Sequence, residues 1–259
     1  MSHTKLNSVL VIAAGILFAG GRPAVVLAGD DAGRQLAPGE ILKRAQAKYA
    51  SLDSYSDEGK TVASVSGTTI TTTFTIKMAR PNLYRIEWVQ SSSPSFSATK
   101  TSTNAVWSAG QGDFLEMGFG VQKQSSLEMA LAGATGISGG AAATIPGTFF
   151  KMNWGNQFGG LMMGEKQQAD EKVGDEDCYV FTSNANGQTR TLWVGKRDYL
   201  MHQVRSVVSA EAMKSALDKA AKLNPGIVIP PQTPSAITST ETHTRIVLNP
   251  KFSPTSFAR

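Results

Sequence analysis

The sequence predicts an α+β chain, mainly antiparallel β, and three observations carry that reading. From Thr68 to Ala79 the even positions hold Ile70, Phe74, Ile76 and Met78 while the odd ones hold Thr69, Thr71, Thr73, Thr75 and Lys77, the period-2 alternation of a sheet with one wet face. Strand-like runs of the same kind return after residue 83 and again after residue 168. Only two long stretches, 38–50 and 209–223, combine helical spacing of apolar residues with start and stop signals.

The chain opens with the three parts of an export signal: Lys5, an uncharged apolar run of 11 residues from Val9 to Ala19, and the small-x-small site Val26-Leu27-Ala28. A helix needs about 20 apolar residues to cross a bilayer, so residues 1–28 read as a cleavable signal peptide rather than an anchor. Ala19 is the other candidate cut, and no cysteine follows either one to carry a lipid. The mature chain is expected to be exported, soluble and periplasmic, with one domain over residues 29–259.

Pro38 to Ala50 is the first helix. Pro38 suits a first turn, where its missing N–H costs nothing, and Glu40 favours the same end. Ile41, Leu42, Ala45 and Tyr49 make one apolar stripe. A strand near Thr61 to Val65 turns at Ser66-Gly67 into Thr68–Ala79. Arg80-Pro81-Asn82 turns the chain into Leu83 to Gln90, with Tyr84, Ile86 and Trp88 on one face and Arg85 and Glu87 on the other. Asn104 to Ser108 and Asp113 to Met117 add two short strands around Gly110-Gln111-Gly112.

From Gly110 to Gly164 the composition changes: the segment holds 13 of the 25 glycines and five of the nine methionines, with Phe119, Phe149, Phe150, Trp154 and Phe158. A short helix is expected from Ser125 to Leu131, and the run Gly133 to Gly147 is not expected to hold regular structure. Strands resume over Gln168 to Ser183, Gln188 to Val194 and Leu200 to Val208. Ser209 caps a helix that ends at Leu223, with Ala210, Met213, Leu217 and Ala220 on a narrow stripe. Pro225 to Pro234 is a Pro-rich connector and Thr240 to Leu248 a last strand. Residues 110–164 thus read as a Gly/Met-rich flap, and 209–236 as an insertion in the hairpin between the last two strands.

Composition excludes several functions. Without Lys5 and Arg22 the chain holds 23 basic against 20 acidic residues, scattered rather than gathered in a stripe, which argues against nucleic acid. Cys178 is the single cysteine, so no internal disulfide forms, and its run Cys178-Tyr179-Val180-Phe181 places it in a buried strand. His202 and His243 lie in expected strands with no metal-like partner at i+2 or i+4, and the lack of further cysteines excludes the usual zinc sites. No Gly-x-Ser-x-Gly elbow, dinucleotide loop or P-loop is present. Asp175, Glu176 and Asp177 are adjacent in a turn and read as a solvated cluster. No catalytic residues and no cofactor are assigned.

Four stretches resemble the outer-membrane lipoprotein-sorting (LolA-like) superfamily of periplasmic carriers, including its relatives in domain-of-unknown-function family 2092. Ile41 to Lys60 (ILKRAQAKYASLDSYSDEGK) is similar to the family's opening helix running into its first strand, and Met78 to Trp88 (MARPNLYRIEW) to its second-to-third strand corner with its Pro and following Arg. Thr191 to Ser206 (TLWVGKRDYLMHQVRS) is similar to its paired later strands, and Leu248 to Phe257 (LNPKFSPTSF) to its ending. The resemblance covers most of 38–257; the flap and the insertion are larger than in the simplest carriers. It implies a strongly curved incomplete β-barrel closed by helices, whose apolar concave face takes up acyl chains.

Phe74, Ile76, Met78, Tyr84, Ile86 and Trp88 fall on one sheet face. Such a face is commonly plain core; with the resemblance it becomes the lining of an acyl-chain cavity. Methionine adapts to partners of varied shape, so Met117, Met129, Phe149, Met152, Trp154, Met162 and Met163 are expected to complete that lining from the flap. The function expected is a periplasmic carrier that binds lipid or lipoprotein acyl chains as a monomer, with transient contact to envelope membrane proteins. The other reading is a non-enzymatic sensor or scaffold that contacts a membrane-protein partner.

Overall fold

The computed structural model describes residues 36–93, 103–118, 120–152, 158, 166–223 and 235–259; residues 1–28, expected to be a signal peptide, and the Pro-rich run Pro225 to Pro234 lie outside them. Helix α1 (Pro38–Ala50) forms over the residues predicted and buries Ile41, Leu42, Ala45 and Tyr49. Then come β1 (Ser54–Val65), β2 (Thr68–Ala79), β3 (Leu83–Ser93), β4 (Asn104–Ser108), β5 (Asp113–Met117) and β6 (Gly120–Gln124). Helices α2 (Leu127–Thr135) and α3 (Thr144–Phe149) follow. The second half holds β7 (Lys166–Gln167), β8 (Glu171–Val173), β9 (Glu176–Ala185), β10 (Gln188–Gly195) and β11 (Met201–Val208). Helix α4 (Ala210–Leu223), β12 (Ile237–Leu248) and a 3-10 turn (Pro254–Phe257) complete the chain. Ser209 caps α4 as expected, its Oγ accepting from the Ala212 N–H at 3.1 Å.

All strands among the described residues belong to one antiparallel sheet in the order β6-β5-β4-β3-β2-β1-β12-β11-β10-β9-β7, with β8 also on β9. It consists of two meanders, β1–β6 and β9–β12, joined along a single seam between β1 and β12 that pairs Tyr55 with Leu248 and Ser64 with Thr238. The expected strongly curved incomplete barrel is not formed. The strand path is open, with β6 and β7 at its ends, and the sheet is neither closed nor strongly curved. Alternation reports which face of a strand is buried, not how the sheet bends, so the barrel rested on the resemblance alone.

Two local expectations are also corrected. The run Gly133–Gly147 is ordered: the Ser138 N–H donates to Ala134 O at 2.9 Å, Gly140 to Thr135 O at 3.1 Å and Thr144 to Gly140 O at 3.1 Å, leading into α3. Alanines fill what glycine leaves open, and Ala141 and Ala142 are wholly buried. Glu176 is not a solvated turn residue; it is buried and held by the Arg197 guanidinium, while Asp177 pairs with Lys172 at 3.1 Å.

The main core lies on one face of the sheet, here the inner face, under α1, α2 and α3. A smaller cluster of Cys178, Val180 and Trp193 lies on the opposite face, with Val173 of β8 against it. Cys178 is buried, as expected, and burial pushes its thiol up to about 12.

Candidate functional site

Antiparallel register lines up side chains in rows across the inner face, since directly opposed residues share a face. At the end nearest α1 the rows are apolar. Ile76 opposes Ile86, and Met78 opposes both Tyr55 and Tyr84; beyond them lie Val106 and Leu115. Phe74 opposes Trp88 and Gly59. A Cβ at Gly59 would collide with the Phe74 ring and the Thr242 carbonyl, so glycine lets this ring lie across the seam.

Three helical pieces cover these rows. The α1 stripe packs on them, and the Tyr49 hydroxyl accepts from the Met201 N–H at 3.1 Å. From the Gly/Met-rich segment 110–164, α2 contributes Ala130, Leu131 and Ala134, and α3 contributes Ile145 and Phe149. Arg80, at the end of β2, ties the two covers together. Its guanidinium donates to Leu52 O at 3.0 Å, Tyr49 O at 3.3 Å and Phe149 O at 2.8 Å, and lies 4.4 Å from the centre of the Phe149 ring.

Toward the middle of the face the chemistry changes. His243 of β12 is wholly buried, its Nδ1 2.8 Å from Asp57 Oδ2 across the seam and its Nε2 3.2 Å from Glu241 Oε1. The Tyr55 hydroxyl donates to Asp57 Oδ2 at 2.7 Å, and the Thr144 hydroxyl of α3 donates to Glu241 Oε2 at 2.7 Å. Desolvation works against charge on the imidazole, but the two carboxylates outweigh it and raise His243 to about 10. The ring is therefore an imidazolium held between two anions. Gly140 sits over Glu241 with φ +106°, and a Cβ there would be 2.9 Å from Oε2.

The six strand residues expected to line a cavity, Phe74, Ile76, Met78, Tyr84, Ile86 and Trp88, are together on the inner face, each 3 % exposed or less. Phe149 and Met152 are buried with them and Met117 is half-buried against the same cluster. Met129 stands apart at 55 % exposure on the outer side of α2. Trp154, Met162 and Met163 lie outside the described residues. One open depression of about 620 Å³ borders Glu58, Lys60, Thr73, Thr75, Glu87 and Thr244, outward-facing residues on the other side of the sheet, with Phe74 and Trp88 between them in sequence.

Sequence reasoning missed the Asp57–His243–Glu241 cluster and Arg80. A signal existed for half of it: Glu241 and His243 alternate along β12 and so must share a face. Asp57 lies in the polar run Ser54–Lys60, where alternation carries no apolar mark. Among the described residues, no three His, Cys, Asp or Glu side chains are grouped so as to hold a metal ion.

No protein-family model and no curated protein matches the chain. Solved structures do. LprF from Mycobacterium bovis is similar over 83% of this chain and 94% of its own, with a TM-score of 0.44 and 6% identity. MucB is similar over 85% of this chain and 62% of its own, with a TM-score of 0.45 and 9% identity. A putative outer membrane lipoprotein-sorting protein domain from Vibrio parahaemolyticus is similar over 85% of this chain and 95% of its own, with a TM-score of 0.34 and 9% identity.

Proposed function

We propose that this protein is an exported, non-enzymatic carrier that receives an acyl chain on its inner face when the flap lifts from the sheet. The observation that carries this reading is the pairing of surfaces. A continuous apolar wall of Phe74, Ile76, Met78, Tyr84, Ile86 and Trp88 faces a separate cover in which the small Ala130, Ala134, Ala141 and Ala142 are interspersed with Leu131, Ile145 and Phe149. The small members interlock little with that wall, so this mixed cover leaves it at lower cost than one lined throughout by leucine or phenylalanine. A 14- to 16-carbon chain laid there gains roughly 10 kcal/mol gross, at ~0.8 kcal/mol per buried CH₂, against the contacts of the displaced cover. Met117, Phe149 and Met152 complete the lining.

The second reading, a scaffold or sensor that contacts a membrane-protein partner, is favoured by one observation: with the flap shut, the wall residues are already buried against protein. The two readings separate on a purified sample. A carrier co-purifies with lipid, found by organic extraction and mass spectrometry, and binds a fluorescent fatty acid. Ile76→Glu or Trp88→Glu abolishes that binding; unchanged affinity in a folded variant places the site elsewhere. A lipid-free sample that also ignores the probe supports the scaffold.

A further inference from the structure

Beyond the buried ion cluster the inner face ends in a polar row that the acyl-chain reading leaves unused. Arg190 of β10 lies two residues from the core residue Leu192 and so faces the same way. Its register partners are Ser183 on β9 and Ser206 on β11, and Ser206 in turn opposes Ser239 on β12. A guanidinium is thus flanked on both sides by serines at cross-strand distance, about 5 Å between Cβ atoms.

This arginine lacks what a half-buried guanidinium ordinarily has. Its Nε is shut off from solvent with no hydrogen-bond partner, and no carboxylate among the described residues pairs with it. The nearest influence is Glu241, one row along, whose Oε2 is taken by Thr144. Desolvation lowers the Arg190 pKa, only partly offset by Glu241. The hydroxyls of Ser183, Ser206 and Ser239 have no partner among the described residues either. A planar fork of N–H donors between unengaged hydroxyls suits a carboxylate or phosphate.

We propose that Arg190, Ser183, Ser206 and Ser239 form an anion-binding row that takes the carboxylate or phosphate head of an amphiphile whose tail lies on the apolar rows of the same face. The inference rests on the carrier reading for the tail and on the Arg190 row alone for the head. Along a strand, Arg190 is about 7 Å from the Leu192 row and about 13 Å from that of Val194, at ~3.3 Å per residue. A head held at Arg190 therefore has its first few methylenes beside the ion cluster and the rest on apolar side chains.

The test is calorimetric titration of the full chain, below micelle formation, with three probes: dodecyl phosphate, the uncharged monododecanoylglycerol, and inorganic phosphate. Dodecyl phosphate is expected to bind at least tenfold tighter than the neutral amphiphile, and Arg190→Gln to remove that preference while leaving neutral binding unchanged. Ser206→Glu, which places a carboxylate beside the guanidinium, is expected to do the same in a chain that keeps Arg190. Equal affinity for the two amphiphiles in the wild type overturns the head site and leaves the carrier reading standing. Phosphate binding that depends on Arg190, with neither amphiphile bound, supports the anion row and removes the carrier. If Arg190→Gln lowers the melting temperature but keeps the preference for dodecyl phosphate, Arg190 only offsets Glu241 and the proposal fails.

Discussion

Asp57→Asn removes one of the two anions that hold the His243 imidazolium and changes almost nothing in volume. At pH 7 the buried ring carries its proton because of Asp57 and Glu241, which together lift it from 6.5 to about 10. Driving that proton off at pH 7 costs on the order of 4 kcal/mol, at 1.36 kcal/mol per unit. Breaking a buried pair from one side typically costs 3–5 kcal/mol, of the same order. Glu241 remains at 3.2 Å, so the expected loss for Asp57→Asn is ~3 kcal/mol, read as a lower urea midpoint at unchanged slope. Replacing all three members, Asp57→Leu and His243→Leu with Glu241→Gln, leaves no stranded charge in the cluster and is expected to cost less than Asp57→Leu alone. The pH dependence has a definite sign. A folded-state pKa raised above the unfolded one contributes stability that is complete below pH 6.5 and is lost as pH rises through 10. Wild type should therefore lose several-fold more stability between pH 7 and 10 than a His243→Asn variant, the comparison that cancels lysine and tyrosine titration. A single-variant loss below about 1 kcal/mol, or parallel pH profiles for the two proteins, would refute the reasoning.

Arg80→Ala should strip three carbonyls of a charged donor and part α1 from α3, costing roughly 2–4 kcal/mol; limited proteolysis should then cut first within 136–152. Gly140→Ala should cost about 1–3 kcal/mol, because φ +106° is strained for alanine and its Cβ crowds Glu241; a melting temperature within 1 °C of wild type would contradict this. Cys178, buried and pushed up to about 12, should resist a thiol reagent at pH 8 in the native protein and react at once in denaturant.

How far the sequence could be read depends on what each segment buries. Strand β2 is legible because every second side chain meets the core, so Ile70 to Met78 spell out its face; α1 is legible for the same reason at helical spacing. Strand β6 was missed because Gly120–Gln124 is an edge whose side chains stay mostly in water, leaving no alternation to find. The ordered turn before α3 was missed because glycine and alanine signal flexibility locally, while here their small size lets them pack closely over Thr61, Thr72 and Glu241. Of the candidate site, the apolar wall was legible and the buried charges were not. An Asp, a Glu and a His each look like surface residues until pairing brings positions 57 and 243 together.

The sheet's single seam has a kinetic consequence. Within each meander every strand neighbours the next in the chain, so pairing needs only short closures, whereas β1 and β12 must meet across nearly the whole polypeptide, a late and slow event. Two half-sheets can thus zip up independently, and the encounter between them is checked by charge. A slip of one residue turns Asp57 or His243 to the opposite face, and only the native alignment brings the imidazolium against its carboxylate.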